Sequence, residues 1–319
     1  MPRPDFPSSF PEFLRRFQSE EACFEFLLES RWPEGFRCPA CGSMASFRRG
    51  DRLAIACRGC KRFFSATAGT VMDRTRQPLS HWLIAAWLLT TSKRGLSALE
   101  LQRQMGLKFY EPAYHMLQKM RRAMVAPGRS MLGGRVEVDE TYIGGPEPGA
   151  RGRGALGKAL VVGAVEVRDR GAGRVRLRVI ARANAHDLHK FVRENVEEGA
   201  TLVTDGSPSY DGLYGYKRIE QIVGQAGLHA DDVLPRFHTM VGNLKAWLLG
   251  THHGAVREKH LQAYLDEFVF RFNRRGNLKA AFQTLLGLTP RAGTLTYHDV
   301  YGEPAAPRAT RRKARASHH

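Results

Sequence analysis

Apolar residues recur at helical intervals through the first part of the chain. Phenylalanine and leucine at three- and four-residue spacing predict a helical opening at 6–30, with a fresh helix start near Ser19. A strongly apolar helix is predicted at 80–91, followed by helices at 97–104 and 110–124. The last two are separated by a short glycine-containing turn, which is the outline of a helix-turn-helix.

The second half of the chain changes to short β-branched, apolar runs that are separated by helical patterns. In chain order these predict three strands, a helix, two strands and two helices, at 135–142, 159–168, 173–182, 185–196, 200–204, 218–223, 239–249 and 258–274. This element order is typical of an α/β fold with a ribonuclease-H-like core, in which helices flank a mixed sheet. Pro127 and Gly128 predict a boundary ahead of it.

Two closely spaced pairs of cysteines precede the predicted helix-turn-helix. Cys38 and Cys41 are followed, after fifteen intervening residues, by Cys57 and Cys60. Two such pairs can bring four thiolates to one zinc ion, and four protein ligands leave no open position, so we expect the zinc to be structural. Disulfide bonds are the alternative interpretation, and a cytosolic protein disfavours them.

Together these patterns predict five segments along the chain. We expect an amino-terminal helical segment, a zinc ribbon, a helix-turn-helix-like DNA-binding region, a ribonuclease-H-like core and a basic carboxy-terminal tail, at 1–35, 36–66, 78–126, 133–290 and 291–319. The end of the tail, after Pro304, contains arginine and lysine but no acidic residue, which predicts disorder.

The chain is strongly basic. It has 49 Lys and Arg against 31 Asp and Glu, a net charge of +18, which favours a polyanionic partner such as DNA or RNA. A generally basic composition without such a partner is the alternative. Basic residues crowd the cysteine module and the end of the 110–124 helix, where a solvated helix face is an equally good interpretation. The candidate DNA contacts are Arg48, Arg49, Arg58, Lys61, Arg62, Lys119, Arg121 and Arg122.

The distribution of apolar residues also excludes some classes of protein. No stretch approaches the ~20 consecutive apolar residues of a membrane span. The amino terminus lacks the basic and apolar segments of a secretory signal. We therefore expect a cytoplasmic protein with no membrane partner.

Two aspartates follow apolar runs that are predicted to be strands. Asp139 follows Val138, and Asp205 follows Val203 and Thr204, so both side chains are expected where strands emerge at one edge of the sheet. Two carboxylates there can hold two divalent ions, which is the arrangement used in phosphoryl transfer on nucleic acids. A surface turn is the alternative for Asp205, because a glycine follows it.

The sequence offers more than one candidate for a third metal ligand. Asn243 opens an amphipathic helical stretch and offers a neutral oxygen that a hard cation accepts, although it could also be a helix cap or a buried amide. Lys245 on the same helix could contact a phosphate. Asp266 and Glu267, on the next predicted helix, are rival third ligands.

The chain resembles the ISXO-like group of insertion-sequence transposases, which combine a zinc ribbon with a ribonuclease-H-like DDE integrase core. The resemblance spans roughly residues 20–290. The motifs that carry it are CPAC, CRGC, VEVDETYIGG, TDG, HTMVGNLKAWLLGTHHG and KHLQAYLDEFVFRFNRR. The resemblance implies that Asp139, Asp205 and Asn243 are the catalytic metal ligands, with Lys245 as a fourth member, and that the ion is Mg²⁺ or Mn²⁺.

The resemblance also implies a reaction and its partners. Hydrolysis at each transposon end would free a 3′-hydroxyl group, which would then attack target DNA. The partners would be double-stranded DNA, both terminal inverted repeats and target, and further copies of the chain when two ends are brought together in the bacterial nucleoid.

Two other functions stay open at the level of sequence. One is a zinc-ribbon DNA-binding regulator that derives from a transposase and has an inactive core. The other is a repair or recombination nuclease that hydrolyses DNA without joining it.

Overall fold

The fold was described from a computed structural model. The described residues are 6–48, 53–126, 128–144, 158–222, 232–254, 256–288 and 300. The predicted DNA contact at Arg49, Pro127 of the predicted boundary, and the predicted basic tail at 291–319 apart from residue 300 lie outside these residues.

The chain begins with two short helices, α1 (Phe10–Arg16) and α2 (Glu20–Arg31). The break between them falls at Ser19, whose hydroxyl accepts a hydrogen bond from the backbone N–H of Ala22 and so caps α2. The restart of the helix near Ser19 that the sequence predicts is therefore confirmed.

A small antiparallel sheet follows the two helices. Its strands are β1 (Ser46–Arg48), β2 (Ile55–Cys57) and β3 (Phe63–Phe64), in that order across the sheet. Each strand has only two or three residues, and such short strands need a further constraint to be stable. The cysteine pairs supply one, since Cys38 and Cys41 precede β1, Cys57 ends β2 and Cys60 lies between β2 and β3.

Helices α3 (Leu79–Thr91), α4 (Ala98–Gln104) and α5 (Tyr110–Ala123) come next. The apolar α3 lies in the centre of an amino-terminal core, which explains why it has little polar surface. Helix α4 starts where Ser97 accepts a hydrogen bond from the N–H of Glu100 at 3.1 Å.

The second half forms a five-stranded mixed sheet. In chain order the strands are β4 (Arg135–Ile143), β5 (Ala159–Arg168), β6 (Gly171–Ile180), β7 (Thr201–Thr204) and β8 (Lys217–Glu220). Their spatial order is β6-β5-β4-β7-β8, with antiparallel pairing among the first three and parallel pairing among the last three. The α/β fold with a ribonuclease-H-like core that the sequence predicts is confirmed.

Helices cover both faces of this sheet. Helix α6 (Ala185–Asn195) packs on one face, and helices α7 (Pro235–His252) and α8 (Glu258–Phe272) pack on the other. Side chains of β4 alternate between them, so Val136 and Val138 face α6, whereas Glu137 contacts α7.

A last helix, α9 (Leu278–Leu288), returns to the amino-terminal core. The ring of Phe282 lies 5.2 Å from that of Trp87 in α3 and 5.9 Å from that of Phe13 in α1. This helix packs with the first core, although the sequence pattern groups it with the second half. Within the described part of the chain, no helix has both the length and the apolar character that crossing a membrane requires.

Candidate functional site

The pairing of β4 with β7 places two aspartates side by side. These strands are parallel, and Glu137 pairs with Val203. Asp139 and Asp205 each lie two residues further along in the same register, so they are neighbours with side chains on the same face of the sheet. This is the face covered by α7 and α8, because Val203 packs against those helices.

The environment of Asp139 disfavours its charge. Burial raises the pKa of Asp139 to about 7, against the opposing effect of the Glu140 N–H, which donates to its carboxylate at 2.7 Å. The nearby carboxylates of Glu140 and Asp205 raise it further. A cation between Asp139 and Asp205 would relieve this repulsion, so the pair has the electrostatic character of a metal site.

Glu140 lies on the opposite face of β4, as the alternation of side chains along a strand predicts. Its carboxylate accepts a hydrogen bond of 2.8 Å from the hydroxyl of Tyr210, which is buried in the core beneath α6. Glu140 therefore acts on Asp139 through its charge and its backbone N–H.

Helix α7 carries Asn243 over the same region of the sheet. Gly163 of β5 pairs with Asp139, and a Cβ atom added there would lie 2.8 Å from the ring of Phe237. Met240 lies above the same glycine, and Asn243 is one turn further along the helix. Asn243 is exposed and sits inside α7, so it is neither a helix cap nor a buried amide.

Lys245 lies two residues beyond Asn243 and is also exposed. Partial burial lowers the pKa of Lys245, and the positive charge of Lys158 lowers it further. The two lysines line one groove beside the end of β4.

The rival ligand Glu267 is engaged elsewhere. It is fully buried on α8, where Arg121 Nε donates to its Oε2 at 2.7 Å and Arg271 Nη1 donates to its Oε1 at 3.3 Å. Its neighbour Asp266 accepts a hydrogen bond from the Gln262 amide at 2.9 Å, and burial raises the pKa of Asp266 to about 6. Guanidinium groups therefore occupy both Glu267 oxygens.

The same ion pair corrects one predicted DNA contact. Arg121 is only 1% exposed, and its guanidinium lies 4.2 Å from the ring centroid of Tyr264. A side chain enclosed between α5 and α8 cannot reach DNA. Arg121 instead joins the amino-terminal core to the second half of the chain.

Two other predicted DNA contacts also have partners within the protein. Arg48 forms ion pairs with Glu21 and Glu25 of α2, which tie the small sheet to that helix. The ammonium group of Lys119 is partly buried and donates to the carbonyl of Asp73 at 3.4 Å. The predicted contacts that are exposed are Arg58, Lys61, Arg62 and Arg122.

The four paired cysteines converge, as the sequence predicts. The sulfurs of Cys38 and Cys60 are 3.6 Å apart, as are those of Cys41 and Cys57, and all four lie within 4.8 Å of one another. Tetrahedral zinc with bonds of about 2.3 Å separates its sulfur ligands by about 3.8 Å, whereas a disulfide bond is about 2.05 Å long. The cluster therefore fits zinc.

Sequence reasoning did not identify Glu137 as part of the site. Its carboxylate is buried and accepts the N–H of Phe237 at 2.7 Å, in the first turn of α7. The sequence contains a signal, since Glu137 is an acidic residue on the same strand face as Asp139, but its partner is one hundred residues away.

Comparison with known proteins identifies two matching domain families and a relative. Residues 131–273 match the ISXO2-like transposase domain, and residues 18–62 match the transposase zinc-ribbon domain. A protein of the transposable element ISH50 of Halobacterium salinarum is 26% identical over 295 residues, which cover 86% of this chain and 98% of that protein.

A solved structure also aligns with part of the chain. It is the simian T-cell lymphotropic virus intasome in complex with the PP2A regulatory subunit B56 gamma, with a TM-score of 0.29 and 11% identity over 53% of this chain and 67% of that one. The two domain matches and the ISH50 relative confirm the resemblance to ISXO-like insertion-sequence transposases.

Proposed function

We propose that this chain, which joins an ISXO2-like transposase domain to a transposase zinc ribbon, cuts DNA at the ends of an insertion sequence and transfers them to target DNA. Asp139 and Asp205 act as ligands of Mg²⁺ or Mn²⁺, and Asn243 is the third ligand. The observation that carries the proposal is the parallel register of β4 and β7, which makes the two aspartates neighbours beneath α7.

Each residue of the site has a stated role in this proposal. Divalent ions bound there would activate the attacking oxygen and stabilise the leaving oxygen of the phosphodiester. Asp139 and Asp205 bind as carboxylates, and the pKa of Asp139, near 7, means that metal binding competes with a proton. Asn243 adds a neutral oxygen, and Lys245 contacts a phosphate of the DNA.

The amino-terminal modules bind the DNA. The exposed cations Arg58, Lys61 and Arg62 lie on the zinc ribbon, and Arg122 lies at the end of α5. Phosphate contacts of this kind hold DNA in register and make binding depend on salt. We also propose the segment boundaries given above, except that α9 packs with the amino-terminal helices and not with the ribonuclease-H-like core. We further propose a homo-oligomer when two ends are held together, and action on DNA in the cytoplasm.

The test is cleavage of a labelled duplex that carries the inverted repeat flanking the gene. The wild-type protein should cleave at the repeat end with Mg²⁺, while Asp139→Asn and Asp205→Asn should bind the duplex without cutting it. Asp187→Asn is a matched control, because Asp187 is a partly buried acid in the first turn of α6, across the sheet. Specific binding by a wild-type protein that never cleaves would instead support the regulator. Cleavage without joining would support the nuclease.

A further inference from the structure

A groove of about 380 Å³ opens beside the end of β4. We call it the lysine groove. Its wall includes Tyr142 from β4, Lys158 from the start of β5, Lys245, Leu248 and Leu249 from α7, and Val256 beyond that helix. Tyr142 follows Asp139 by three residues, which is about 10 Å along an extended strand. The groove therefore begins beside the candidate metal ligands without containing them.

The groove holds two positive charges close together. Both side chains line the same groove, and the positive charge of Lys158 disfavours that of Lys245. Among the residues that the structure describes, no carboxylate forms an ion pair with either ammonium group. Two neighbouring cations attract an anion, and a phosphate group fits this requirement.

The rest of the wall is largely apolar. Leu248 packs into the core, whereas Leu249 is 63% exposed, and both line the groove together with Tyr142. A wall that combines an exposed leucine, a tyrosine and two cations suits a nucleobase, which has an apolar face and an adjoining phosphate. The groove is too small for a base pair and its two backbones.

We propose that the lysine groove binds the phosphate and the unstacked base of one nucleotide of the transposon end, next to the scissile phosphate. The phosphate lies between Lys158 and Lys245, and the base lies against Leu249 and Tyr142. This inference rests on the proposed function, since the transposon end is the DNA present in its first step. The nucleotide is recognised by charge and by its flat face, so binding there tolerates any base.

The experiment pairs protein variants with chemically altered DNA. Binding of the whole chain to terminal-repeat DNA is measured at several salt concentrations without added Mg²⁺ or Mn²⁺ and without a chelator, so that no cleavage occurs and the zinc ribbon keeps its metal. The DNA series replaces single phosphates near the cleavage site by neutral methylphosphonates, and separately replaces single nucleotides by abasic ones. The protein series is wild type, Lys158→Ala, Lys158→Arg and Leu249→Ser, with Lys190→Ala as the control because Lys190 is an exposed lysine on α6.

Lys158→Ala should weaken binding about tenfold and reduce the salt slope by about one, and Lys158→Arg should restore both. One methylphosphonate position should weaken binding less in Lys158→Ala than in the wild type, because only Lys245 then remains beside that phosphate, and the adjacent abasic position should weaken binding less in Leu249→Ser than in the wild type. Lys190→Ala should add to every DNA change independently.

Other outcomes would overturn the proposal. If the protein and DNA changes had additive effects on binding at every position of the end DNA, no nucleotide of the transposon end would lie in the groove. Non-additivity that arises only when the target DNA is altered, in a joining assay with pre-cut ends, would assign the groove to target DNA. If the wild-type protein binds the transposon end without cleaving it, the proposed function is refuted, but the binding test of the lysine groove can still be interpreted. If the wild-type protein shows no specific binding to the end, both proposals are refuted.

Discussion

The carboxylate of Glu137 accepts a hydrogen bond of 2.7 Å from the backbone N–H of Phe237. This bond joins β4, two residues before Asp139, to the first turn of α7, which has no side-chain cap of its own. A free N–H at a helix start is a strong donor, and burial of both groups strengthens the bond. Glu137 thereby fixes the position of the first turn of α7, and through the helix the position of Asn243, relative to Asp139.

Removing the Glu137 carboxylate should shift α7 and impair cleavage. We expect Glu137→Ala to lower the free energy of unfolding by about 1–3 kcal/mol, because a buried N–H loses its partner. Cleavage should fall while end binding is retained. Burial raises the pKa of Glu137. Glu137→Gln keeps an oxygen that can accept the Phe237 N–H, so it should preserve most of the activity. Urea unfolding and cleavage rates check this, and equal activity of the Ala and wild-type proteins would contradict it.

The buried ion pair of Arg121 with Glu267 should be structural. Breaking it from one side leaves an uncompensated buried charge, so we expect Glu267→Ala to lower the free energy of unfolding by about 3–5 kcal/mol. Replacing both partners, as in Arg121→Met with Glu267→Leu, should cost much less. Urea unfolding of the single and double variants measures the difference. Arg122→Ala, which changes the exposed neighbouring arginine, should have an effect below about 0.5 kcal/mol.

The Glu137–Phe237 hydrogen bond and the Arg121–Glu267 ion pair are not predicted from the sequence, whereas part of the site is. The position of Asp139 beside Asp205 follows from apolar runs that end at each residue and from the period of two along a strand. By contrast, Arg121 and Glu267 lie 146 residues apart, and helical periodicity does not reveal that two charged residues meet in a core. The sequence therefore predicts an exposed Arg121, because isolated arginines are mostly exposed.

The packing of α9 illustrates the same limit. The last helix predicted from the sequence is 258–274, so the sequence does not predict α9, and its residues are only included in the core at 133–290. Phe282 packs edge-on against the rings of Trp87 and Phe13, which lie 195 and 269 residues earlier in the chain. Local patterns predict elements well, whereas contacts between distant elements depend on shape and charge matching that no single segment contains.

Zinc should be needed for the fold of the ribbon. We expect elemental analysis to find one zinc ion per chain in the wild type and almost none in Cys57→Ser, because three thiolates hold zinc less tightly than four. The variant should lose end binding and become sensitive to proteolysis near β1–β3. A metal-free protein with a fully protected ribbon would contradict the prediction. Cys23→Ser is the matched control, since Cys23 is outside the cluster.

His252 should make the protein sensitive to acid. Burial lowers the pKa of His252 to about 3, and the charges of Arg121, Arg271 and His253 lower it further. Its ring packs edge-on against Tyr264 at 4.6 Å. The unfolded chain takes up a proton near pH 6.5, whereas the folded protein does so only near pH 3, so this group reduces stability as the pH falls between these values.

The effect of His252 can be measured by replacing it with a ring that cannot titrate. Relative to pH 7.5, we expect the wild type to lose about 1 kcal/mol through this group at pH 5.5. His252→Phe should not show that loss, because it keeps the ring contact with Tyr264. Urea unfolding at the two pH values gives the difference between the proteins. An identical pH dependence in both would show that His252 is not responsible.

Asn243 and Glu267 are the two candidates for the third metal ligand, and their variants distinguish them. If Asn243 supplies an oxygen to the metal, Asn243→Ala should reduce cleavage and joining by at least about 100-fold, since even groups that only support a ligand contribute 10–100-fold. Folding and end binding should be unchanged, because Asn243 is exposed and no packing is lost. Asn243→Asp keeps an oxygen in place and should retain cleavage. Glu267→Gln should lower stability, yet its folded fraction should cleave at a rate similar to wild type, because its partners are Arg121 and Arg271. Full cleavage by Asn243→Ala together with an inactive but folded Glu267→Gln would move the ligand to α8, and it would require α8 to turn its buried face towards Asp139 when DNA is bound.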